Sequence, residues 1–552
     1  AARGGGWQQP RALAVSILRR EMEPLAVATP PNLRTLVVRL AGLGVGMAGV
    51  YALGLALRYP LLEGIWRPRH NWARLADGAT IPGLLLHVAT YVTATVLYIM
   101  AMRLVLAHNP SPRRRVIAVI TGGWLLASIV LMAVAPGGEA HDVFDYLFRG
   151  RMLVEFGGSP LADAPELFAD RPFYSYITWT DHVDTYGPVW EYASGGVAAT
   201  TRALLLAAGR WHVGAAACPD ADASCFVLLS YVLAYRVLAV TLAGLCGWLI
   251  YTLVNRVAPA LAMAALLTWL WNPLLLVSSA VGAHNDMVML ALLLASFWML
   301  QRRWWLAALL LLALAAHVKL TALTLVPLYG LWLVRQLGWR RALLYAAGAL
   351  LLGLGFSWLL YAPLGGWATL PRMLEERQRY VALSFHHVIY RLLYERGVDA
   401  ALNRLITIQA PTLLFAAGAV LISGVMVGWR RGDPVQPRTG DIRIFWRAAL
   451  AVNLCYLLVG SYWFQPWYML WVLAPAALLP ASRFTRAVLP WLCAGALSSN
   501  AVADYLPQLP GPPLQRTGRM IAAVTTTWLP ALVAALLVWR KSLVRWRQLE
   551  RR

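Results

Sequence analysis

Apolar residues occur along this chain in blocks of about twenty, separated by short polar and basic stretches. Clear examples are residues 117–135, 226–254 and 342–360. Each block is close to the roughly 20 apolar residues that an α-helix needs to cross the hydrocarbon core of a bilayer. The pattern predicts an all-α polytopic membrane protein, a bundle of about 12–14 transmembrane helices, some of them short or broken.

One stretch, residues 304–334, does not follow the simple pattern of crossings. Both of its flanks are basic, yet its roughly 30 residues at about 1.5 Å each are too few for two full crossings. We therefore predict two short half-helices that break around residues 317–319, because broken helices are tolerated in a membrane where they line a cavity. The other blocks predict crossings near 35–57, 81–105, 116–135, 226–253, 259–281, 287–301, 341–362, 405–428, 443–460, 467–482, 487–504 and 519–540.

Composition agrees with a membrane protein and excludes several other classes. Of 552 residues, 60% are hydrophobic and 13% are charged, whereas soluble chains have about 45–50% apolar and about 25% charged residues. A cytosolic enzyme, a disordered chain and a small disulfide-stapled module are therefore excluded. The net charge of +23 comes from Arg clusters between the apolar blocks, which is typical of cytoplasmic loops and does not indicate nucleic-acid binding.

The Arg clusters also predict an orientation in the plasma membrane. Both termini are expected in the cytoplasm, the first apolar block is expected to be an uncleaved anchor helix, and residues 136–225 are expected outside the cell. Cys218 and Cys225 fall in that outer segment, where a disulfide and two separate thiols both stay open. The predicted divisions are a cytoplasmic segment 1–34, N-terminal transmembrane helices 35–115, a central module 116–365, an outer amphipathic loop 366–404, and C-terminal helices with a basic tail 405–552.

An acidic run follows the third predicted crossing. If this run is helical, Glu139, Asp142 and Asp145 share one face, and Arg149 lies one turn further on. Clustered carboxylates raise the pKa of at least one member, which suits a general base. A solvated, salt-bridged loop helix is the alternative interpretation of this run.

Further polar groups fall on the same predicted outer face. They are Tyr186 in Tyr-Gly-Pro-Val-Trp, the triplet His284-Asn285-Asp286, and Gln465, Trp467 and Tyr468 in Gln-Pro-Trp-Tyr. Lys319 reaches that face if the broken helix pair re-enters from the cytoplasm. Taken singly, these features also fit a helix cap, an interfacial aromatic belt and a snorkelling lysine. Their convergence with the acidic run favours a shared functional cavity.

These motifs, in this order and on one side of the membrane, resemble those of the GT-C superfamily of membrane glycosyltransferases. The closest resemblance is to bacterial polyprenyl-phosphate-mannose-dependent mannosyltransferases of the α-1,6 type, between about residues 136 and 480. The helices before Arg115 are a departure, since many relatives place the acidic motif after their first helix. The resemblance implies a GT-C-like bundle with a long extracytoplasmic first catalytic loop containing amphipathic helices, within a catalytic module 116–365.

The implied reaction is an inverting transfer of a hexose, with mannose favoured, from a polyprenyl-phosphate sugar to a lipid-linked or glycan acceptor. The transferred sugar passes through an oxocarbenium-like state, and a carboxylate takes the proton of the acceptor hydroxyl. Asp142 is the first choice as base because we expect Arg149 to hold Asp145, and Glu139 is the third candidate. The sugar, the acceptor, the linkage and the oligomeric state are left open by the sequence.

The resemblance also implies roles for other residues. The leaving phosphate needs positive charge, for which the candidates are Lys319, Arg149, Arg151, Arg372, Arg379, His386 and His387. The expected substrate-binding residues are His141, Tyr186, His284, Asn285, Asp286, Gln465, Trp467 and Tyr468. A reaction without cofactor or metal is expected, with a divalent ion at Asp142, Asp145, His284 and Asp286 as the alternative. The amphipathic segment 367–396 is expected to lie in the interface, in contact with membrane lipids, and to guide the polyprenyl tail.

Three alternative functions differ in which of these features they would use. A transporter or flippase of a lipid-linked sugar would share the cavity and the broken helix, but the sequence has no inverted repeat and no matching polar cluster on the cytoplasmic side. A glycan ligase or oligosaccharyltransferase would use a diphosphate donor. A scaffold protein would not need Lys319 or the His284-Asn285-Asp286 triplet.

Overall fold

The computed structural model describes residues 33–65, 72–75, 79–108, 113–136, 141–211, 223–378, 381–428, 441–509 and 516–550. Within these ranges the chain is helical, without β-strands. Nine of the described helices are long and apolar enough to cross a membrane, and a tenth span results if one bent pair is counted as a crossing. The predicted all-α polytopic membrane fold is confirmed.

The first half of the chain contains the polar segment, which we define as residues 141–211. The helices of this half are α1 (Leu33–Tyr51), α2 (Ile81–His108), α3 (Arg113–Met132), α4 (Asp142–Arg151), α5 (Pro188–Ala207), α6 (Ala223–Val257), α7 (Ala262–Leu270), α8 (Pro273–Ala280) and α9 (Asp286–Gln301). Two of them, α4 and α5, belong to the polar segment. Two single turns, Leu61–Gly64 and Trp72–Leu75, lie between α1 and α2.

The second half begins with the predicted broken pair. Its helices are α10 (Trp305–Ala316), α11 (Val326–Leu337), α12 (Trp339–Tyr361), α13 (Thr369–Gln378), α14 (Phe385–Glu395), α15 (Ala400–Arg404), α16 (Ala410–Val427), α17 (Ile442–Cys455), α18 (Leu470–Ala477), α19 (Leu489–Tyr505) and α20 (Arg516–Glu550). Helices α13 and α14 form the amphipathic loop between the candidate spans Trp339–Leu364 and Ala400–Val427, and α15 is the first turn of the second span.

The break around residues 317–319 is confirmed. Helix α10 ends at Ala316, and a 3₁₀ turn, Leu320–Leu325, leads into α11. The carbonyl groups at the break are satisfied by the polar segment, since Gly187 N–H donates to Val318 O (3.0 Å) and Val189 N–H donates to His317 O (3.1 Å). Only glycine fits at position 187, because a Cβ there would overlap the carbonyl of His317.

One predicted crossing, 259–281, is broken where the sequence pattern predicts a continuous helix. Helices α7 and α8 meet at a bend of 50°. Pro273 disfavours helical geometry at the preceding Asn272, and the Asn272 side chain caps the new helix by accepting from Leu274 N–H at 3.0 Å. The local rule for proline therefore overrides the apolar run.

The N-terminal helices are part of the bundle. The Trp271 indole at the α7–α8 bend lies against Gly44 of α1 and Gly123 of α3, where a Cβ would come within 3.0 Å of the ring. Its Nε1–H donates to Ile120 O at 2.8 Å. Small residues permit such close approach between membrane helices, so α1 and α3 are packed directly on the central helices.

Candidate active site

A polar cavity of about 140 Å³ lies where the polar segment meets the 317–319 break, helix α13 and residues 456–468. Its described lining residues are Asp142, Asp145, Tyr146, Arg149, Trp179, His182, Val183, Asp184, Thr185, Tyr186, Lys319, Glu376, Arg377, Tyr456, Ser461, Tyr462, Trp463, Gln465, Trp467 and Tyr468. The predicted convergence of acidic, basic and aromatic residues is therefore present in the structure.

Helix α4 brings the acidic motif to the cavity. Asp142, Asp145, Tyr146 and Arg149 line it together because residues three and four apart share a helix face. Both carboxylates lie in the first turn, where the positive end of the helix dipole stabilises negative charge. Glu139, the third carboxylate of the predicted trio, lies outside the described residues.

Asp142 is the more accessible carboxylate of this pair. Its side chain is 14% exposed, and Oδ2 lies 3.5 Å from His284 Nδ1. The Tyr146 hydroxyl donates to the same oxygen at 3.3 Å. The His284 ring in turn stacks on Trp467, with centroids 3.8 Å apart. Asp142 thus combines solvent contact in the cavity with a fixed orientation.

Asp145 is buried and is held by the backbone. It accepts hydrogen bonds from Thr178 N–H (3.3 Å) and Trp179 N–H (3.2 Å). Burial raises the pKa of Asp145 to about 7, with Asp142 adding to the rise and Arg149 opposing it. A neutral and a charged form of this carboxyl group therefore coexist near neutral pH.

The prediction that Arg149 forms an ion pair with Asp145 is wrong. Arg149 Nε lies 3.7 Å from Asp184 Oδ2, and both side chains are 5% exposed. The guanidinium also donates to the carbonyls of Trp179 (3.0 Å) and His182 (2.9 Å). Residues 179–184, later in the polar segment, fold back over α4, and this tertiary contact, rather than helix spacing, selects the partner of Arg149.

A second carboxyl group is buried next to this ion pair. Glu191 in the first turn of α5 is fully buried. Burial, followed by the proximity of Asp184, raises the pKa of Glu191 well above its usual range. Two carboxyl groups, Asp184 and Glu191, therefore lie near one cation, Arg149.

Lys319 lines the cavity as predicted, and Asp286 is its counter-ion. Nζ of Lys319 lies 2.6 Å from Asp286 Oδ2, with side chains 3% and 0% exposed. Trp471 Nε1–H donates to the other carboxylate oxygen at 2.6 Å. The rings of Tyr186 and Tyr468 lie 4.9 and 5.5 Å from the ammonium group. Asp286, which was expected to bind substrate, is thus the counter-ion of Lys319.

The remaining predicted residues divide between the cavity and other places. Tyr186, Gln465, Trp467 and Tyr468 line the cavity. The predicted residues that are described but do not line it are Arg151, Arg372, His386, His387, His141, His284, Asn285 and Asp286. Arg379 lies outside the described residues, as does Cys218 of the suggested disulfide.

Two of the predicted phosphate-binding arginines have other contacts. Arg151 is buried, pairs with Glu155 at 2.9 Å and donates to Pro172 O at 3.0 Å. Arg372 is exposed and donates to the backbone of Ala162. His386 is buried outside the cavity lining. The sequence shows their charge, but it does not show which way their helices face.

Arg377 is the main cavity residue that sequence reasoning missed. It is half-buried in α13 and lines the cavity, together with Glu376. A signal was present: Met373 lies one turn earlier and is buried, so the i, i+4 rule places Arg377 on the inward face. His182 was also missed, and its Nδ1 lies 3.6 Å from Glu376 Oε2.

Comparison with known protein families agrees with this arrangement. The profile described as alpha-(1->6)-mannopyranosyltransferase, N-terminal domain, matches residues 34–335, more than half of the chain. The chain belongs to this alpha-(1->6)-mannopyranosyltransferase family. A second profile, glycosyltransferase family 87, matches residues 223–459. No curated protein matches the chain.

Both matched families are GT-C-like membrane mannosyltransferase families, which confirms the resemblance noted from the motifs. The match to the alpha-(1->6)-mannopyranosyltransferase family begins in α1 and extends through α4, the polar segment and Lys319. The helices before Arg115 therefore lie inside the matched region. This chain is a multi-pass membrane glycosyltransferase.

Proposed function

We propose that this glycosyltransferase moves a hexose, with mannose favoured, from a polyprenyl-phosphate sugar to a lipid-linked or glycan acceptor, with inversion. One observation carries the proposal: a single cavity is lined by the accessible carboxylate of Asp142 and by three cationic side chains, Arg149, Lys319 and Arg377. A base and a cationic environment are the two requirements for displacing a phosphate from a sugar by a hydroxyl group.

Asp142 is the proposed general base. The acceptor oxygen forms a bond to the anomeric carbon, its proton passes to Asp142, and the bond between that carbon and the phosphate oxygen breaks. Asp145 is less suited to this role because two backbone amides already occupy its oxygens. Asp145 instead contributes to the position of α4 against Thr178 and Trp179.

The cations are proposed to stabilise the departing polyprenyl phosphate. Lys319 and Arg149 are each balanced by one carboxylate, Asp286 and Asp184. Arginine and lysine form short charge-assisted hydrogen bonds with phosphate oxygens. This supports a reaction that proceeds without a metal ion, and EDTA-treated enzyme should keep its activity. Loss of activity that Mg²⁺ restores would contradict metal independence.

We place the reaction on the extracytoplasmic face of the plasma membrane, with both termini in the cytoplasm. Support comes from basic residues such as Arg302 and Arg303, which directly follow α9 and therefore lie a helix length away from Asp286 and its partner Lys319 at the cavity. Such residues are enriched in cytoplasmic loops. A cysteine-accessibility experiment in intact cells tests this placement, because a cysteine introduced at exposed Asp170 should react with an impermeant reagent.

The deciding experiment uses purified protein in nanodiscs, radiolabelled polyprenyl-phosphate mannose and an acceptor lipid extract. We expect Asp142→Asn to lower the transfer rate by about 10²- to 10⁴-fold, the usual contribution of a positioned general base. The control is Asp170→Asn, an exposed carboxylate of the same polar segment, which should leave the rate unchanged. Full activity in Asp142→Asn would overturn the base assignment, and movement of labelled donor across the bilayer without product would indicate a transporter.

A further inference from the structure

A second cavity of about 340 Å³ opens between α2, α19 and α20. We call it the basic groove. The opposite end of α2 lies close to the start of the polar segment: Arg58 donates to Gly83 O, and the neighbouring Tyr59 O accepts from Ala135 N–H, shortly before the polar segment begins. Arg103, on the rim of the groove, is 20 residues further along α2, which is roughly 30 Å. The basic groove is therefore at the end of the bundle away from the catalytic cavity.

The basic groove combines apolar walls with a cationic rim. Its walls include Ile99, Trp491 and Leu537, and its rim carries Arg103, Arg486 and Lys541. Carboxylates are absent from the described lining residues, in contrast to the catalytic cavity. Arg103 and Lys541 are exposed, so their charges are available to a ligand from the membrane side.

The three cations come from three separate helical elements. Arg103 lies near the C-terminus of α2, Lys541 lies in the second half of α20, and Arg486 lies in the π-helical turn Phe484–Val488 that precedes α19. Single basic residues at helix ends extend to the headgroup region wherever they occur. A cavity that gathers three of them above apolar walls has the composition of a binding site for an anionic lipid.

We propose that the basic groove binds an anionic glycerophospholipid, with the phosphate between Arg103, Arg486 and Lys541 and an acyl chain along the apolar walls. Charge complementarity selects an anionic headgroup over a zwitterionic one. The apolar walls select a lipid over free phosphate, which has no apolar part to bury. Under the proposed orientation this lipid comes from the cytoplasmic leaflet, and the site is separate from that of the sugar donor.

The test measures phosphatidylglycerol retained by the delipidated, full-length protein in detergent, by native mass spectrometry. We expect Arg103→Gln/Lys541→Gln to weaken retention about thirtyfold, since each basic residue contributes roughly fivefold to the attraction for anionic lipid. The matched control is Arg115→Gln/Arg540→Gln, which removes two exposed basic residues outside the described groove lining. The control should change retention less than twofold. An equal loss in both double variants would overturn the proposal, because surface charge alone would then explain binding.

A second variant tests the groove without altering charge. Ala534 is part of the wall, and Ala534→Phe should fill it and reduce phosphatidylglycerol retention at least tenfold. Unchanged retention in this variant would overturn the proposed binding position of the acyl chain. Phosphatidylcholine should be retained much more weakly than phosphatidylglycerol by the wild-type protein, and equal retention would contradict headgroup selection.

Two competitors separate the proposed ligand from related anions. Inorganic phosphate at millimolar concentration should not displace phosphatidylglycerol, and complete displacement would make the groove a simple anion site. Polyprenyl phosphate should bind no better than phosphatidylglycerol, and preferential retention would make the groove a second site for the donor. Sugar transfer is not a readout of these measurements, so the outcome is independent of the proposed catalytic function.

Discussion

The catalytic cavity and the basic groove both contain lysine and arginine, but they satisfy these charges in different ways. In the cavity Lys319 has Asp286 at 2.6 Å and Arg149 has Asp184 at 3.7 Å, with all four side chains nearly buried. In the groove the described lining residues include three cations and no carboxylate. A buried charge needs a partner to offset the loss of hydration, whereas an exposed charge keeps its water.

The paired charges of the cavity are therefore part of the folded core, whereas the exposed charges of the groove are not. Removing a charge from the cavity leaves its partner buried and unpaired. Removing either exposed charge of the groove, Arg103 or Lys541, leaves a hydrated surface. The same substitution of a lysine should therefore lower the free energy of unfolding in the cavity but not in the groove. In the groove the substitution should weaken ligand binding.

The largest expected contrast is between the two lysines. We expect Lys319→Met to destabilise the protein by about 3–5 kcal/mol, because Asp286 is then a buried carboxylate without its cation. Lys541→Met should change stability by less than about 0.5 kcal/mol, since the side chain is exposed. Thermal or denaturant unfolding in detergent measures both.

A double variant sharpens this result. Lys319→Met/Asp286→Leu replaces both charges by apolar groups and should recover much of the lost stability. The reason is that no unpaired carboxylate then remains buried in the core. Equal effects of Lys319→Met and Lys541→Met would show that the Lys319–Asp286 pair does not stabilise the fold.

A smaller effect is expected from the indole that supports this pair. Trp471→Phe removes the Nε1–H donor to Asp286 and should cost about 1–3 kcal/mol, because a buried carboxylate oxygen loses its hydrogen bond. The control is Trp446→Phe. Trp446 is equally buried, but its Nε1 has no hydrogen-bond partner among the described residues. A cost for Trp471→Phe no greater than for Trp446→Phe would mean that the hydrogen bond to Asp286 contributes little.

The third contrast concerns pH, and its sign differs between two aspartates. The folded-state pKa of Asp145 is about 7, above the value of about 3.9 in unfolded chains. Between these two pH values the folded state binds more protons, so its contribution to stability is lost as pH rises toward 7. Asp145→Asn should therefore flatten the fall in unfolding free energy over this range.

Asp441 should behave in the opposite way. Partial burial acts to raise the pKa of Asp441, but hydrogen bonds from Arg443 outweigh it, and the pKa is lowered. Its contribution to stability is present above about pH 3.9 and is lost as pH falls through the lower folded-state pKa. Asp441→Asn should thus reduce stability near neutral pH and remove part of the acid sensitivity. Midpoints of thermal unfolding between pH 3 and 8 measure both variants, and slopes that change in the same direction would contradict these assignments.

Features that depend on short stretches of sequence were predictable. The apolar period placed most helices within a few residues of their observed positions, and the basic flanks of residues 304–334 indicated a break that the structure has at 317–319. The i, i+3 spacing of Asp142 and Asp145 put both carboxylates in the cavity. The bend at Asn272 and Pro273 was missed, although the local restriction before proline was visible.

Partnerships between distant residues were not predictable. Asp184 is 35 residues from Arg149, and Asp286 is 33 from Lys319; many other carboxylates satisfy the same chemistry. Arg377 and Arg372 look equivalent in sequence, but they face different environments. The spacing of residues along a helix predicts which side chains of that helix are neighbours. It does not predict which loop packs over the helix.

The amino-acid pattern alone is enough to predict a helical membrane protein and its small set of polar residues near a functional site, because hydropathy and charge can be evaluated one helix at a time. Tertiary structure decided which carboxylate neutralises which cation, which arginine faces the cavity, and that three basic residues from separate helices meet over one apolar groove. These properties depend on distances of a few ångströms between segments far apart in the chain, and only packing sets those distances.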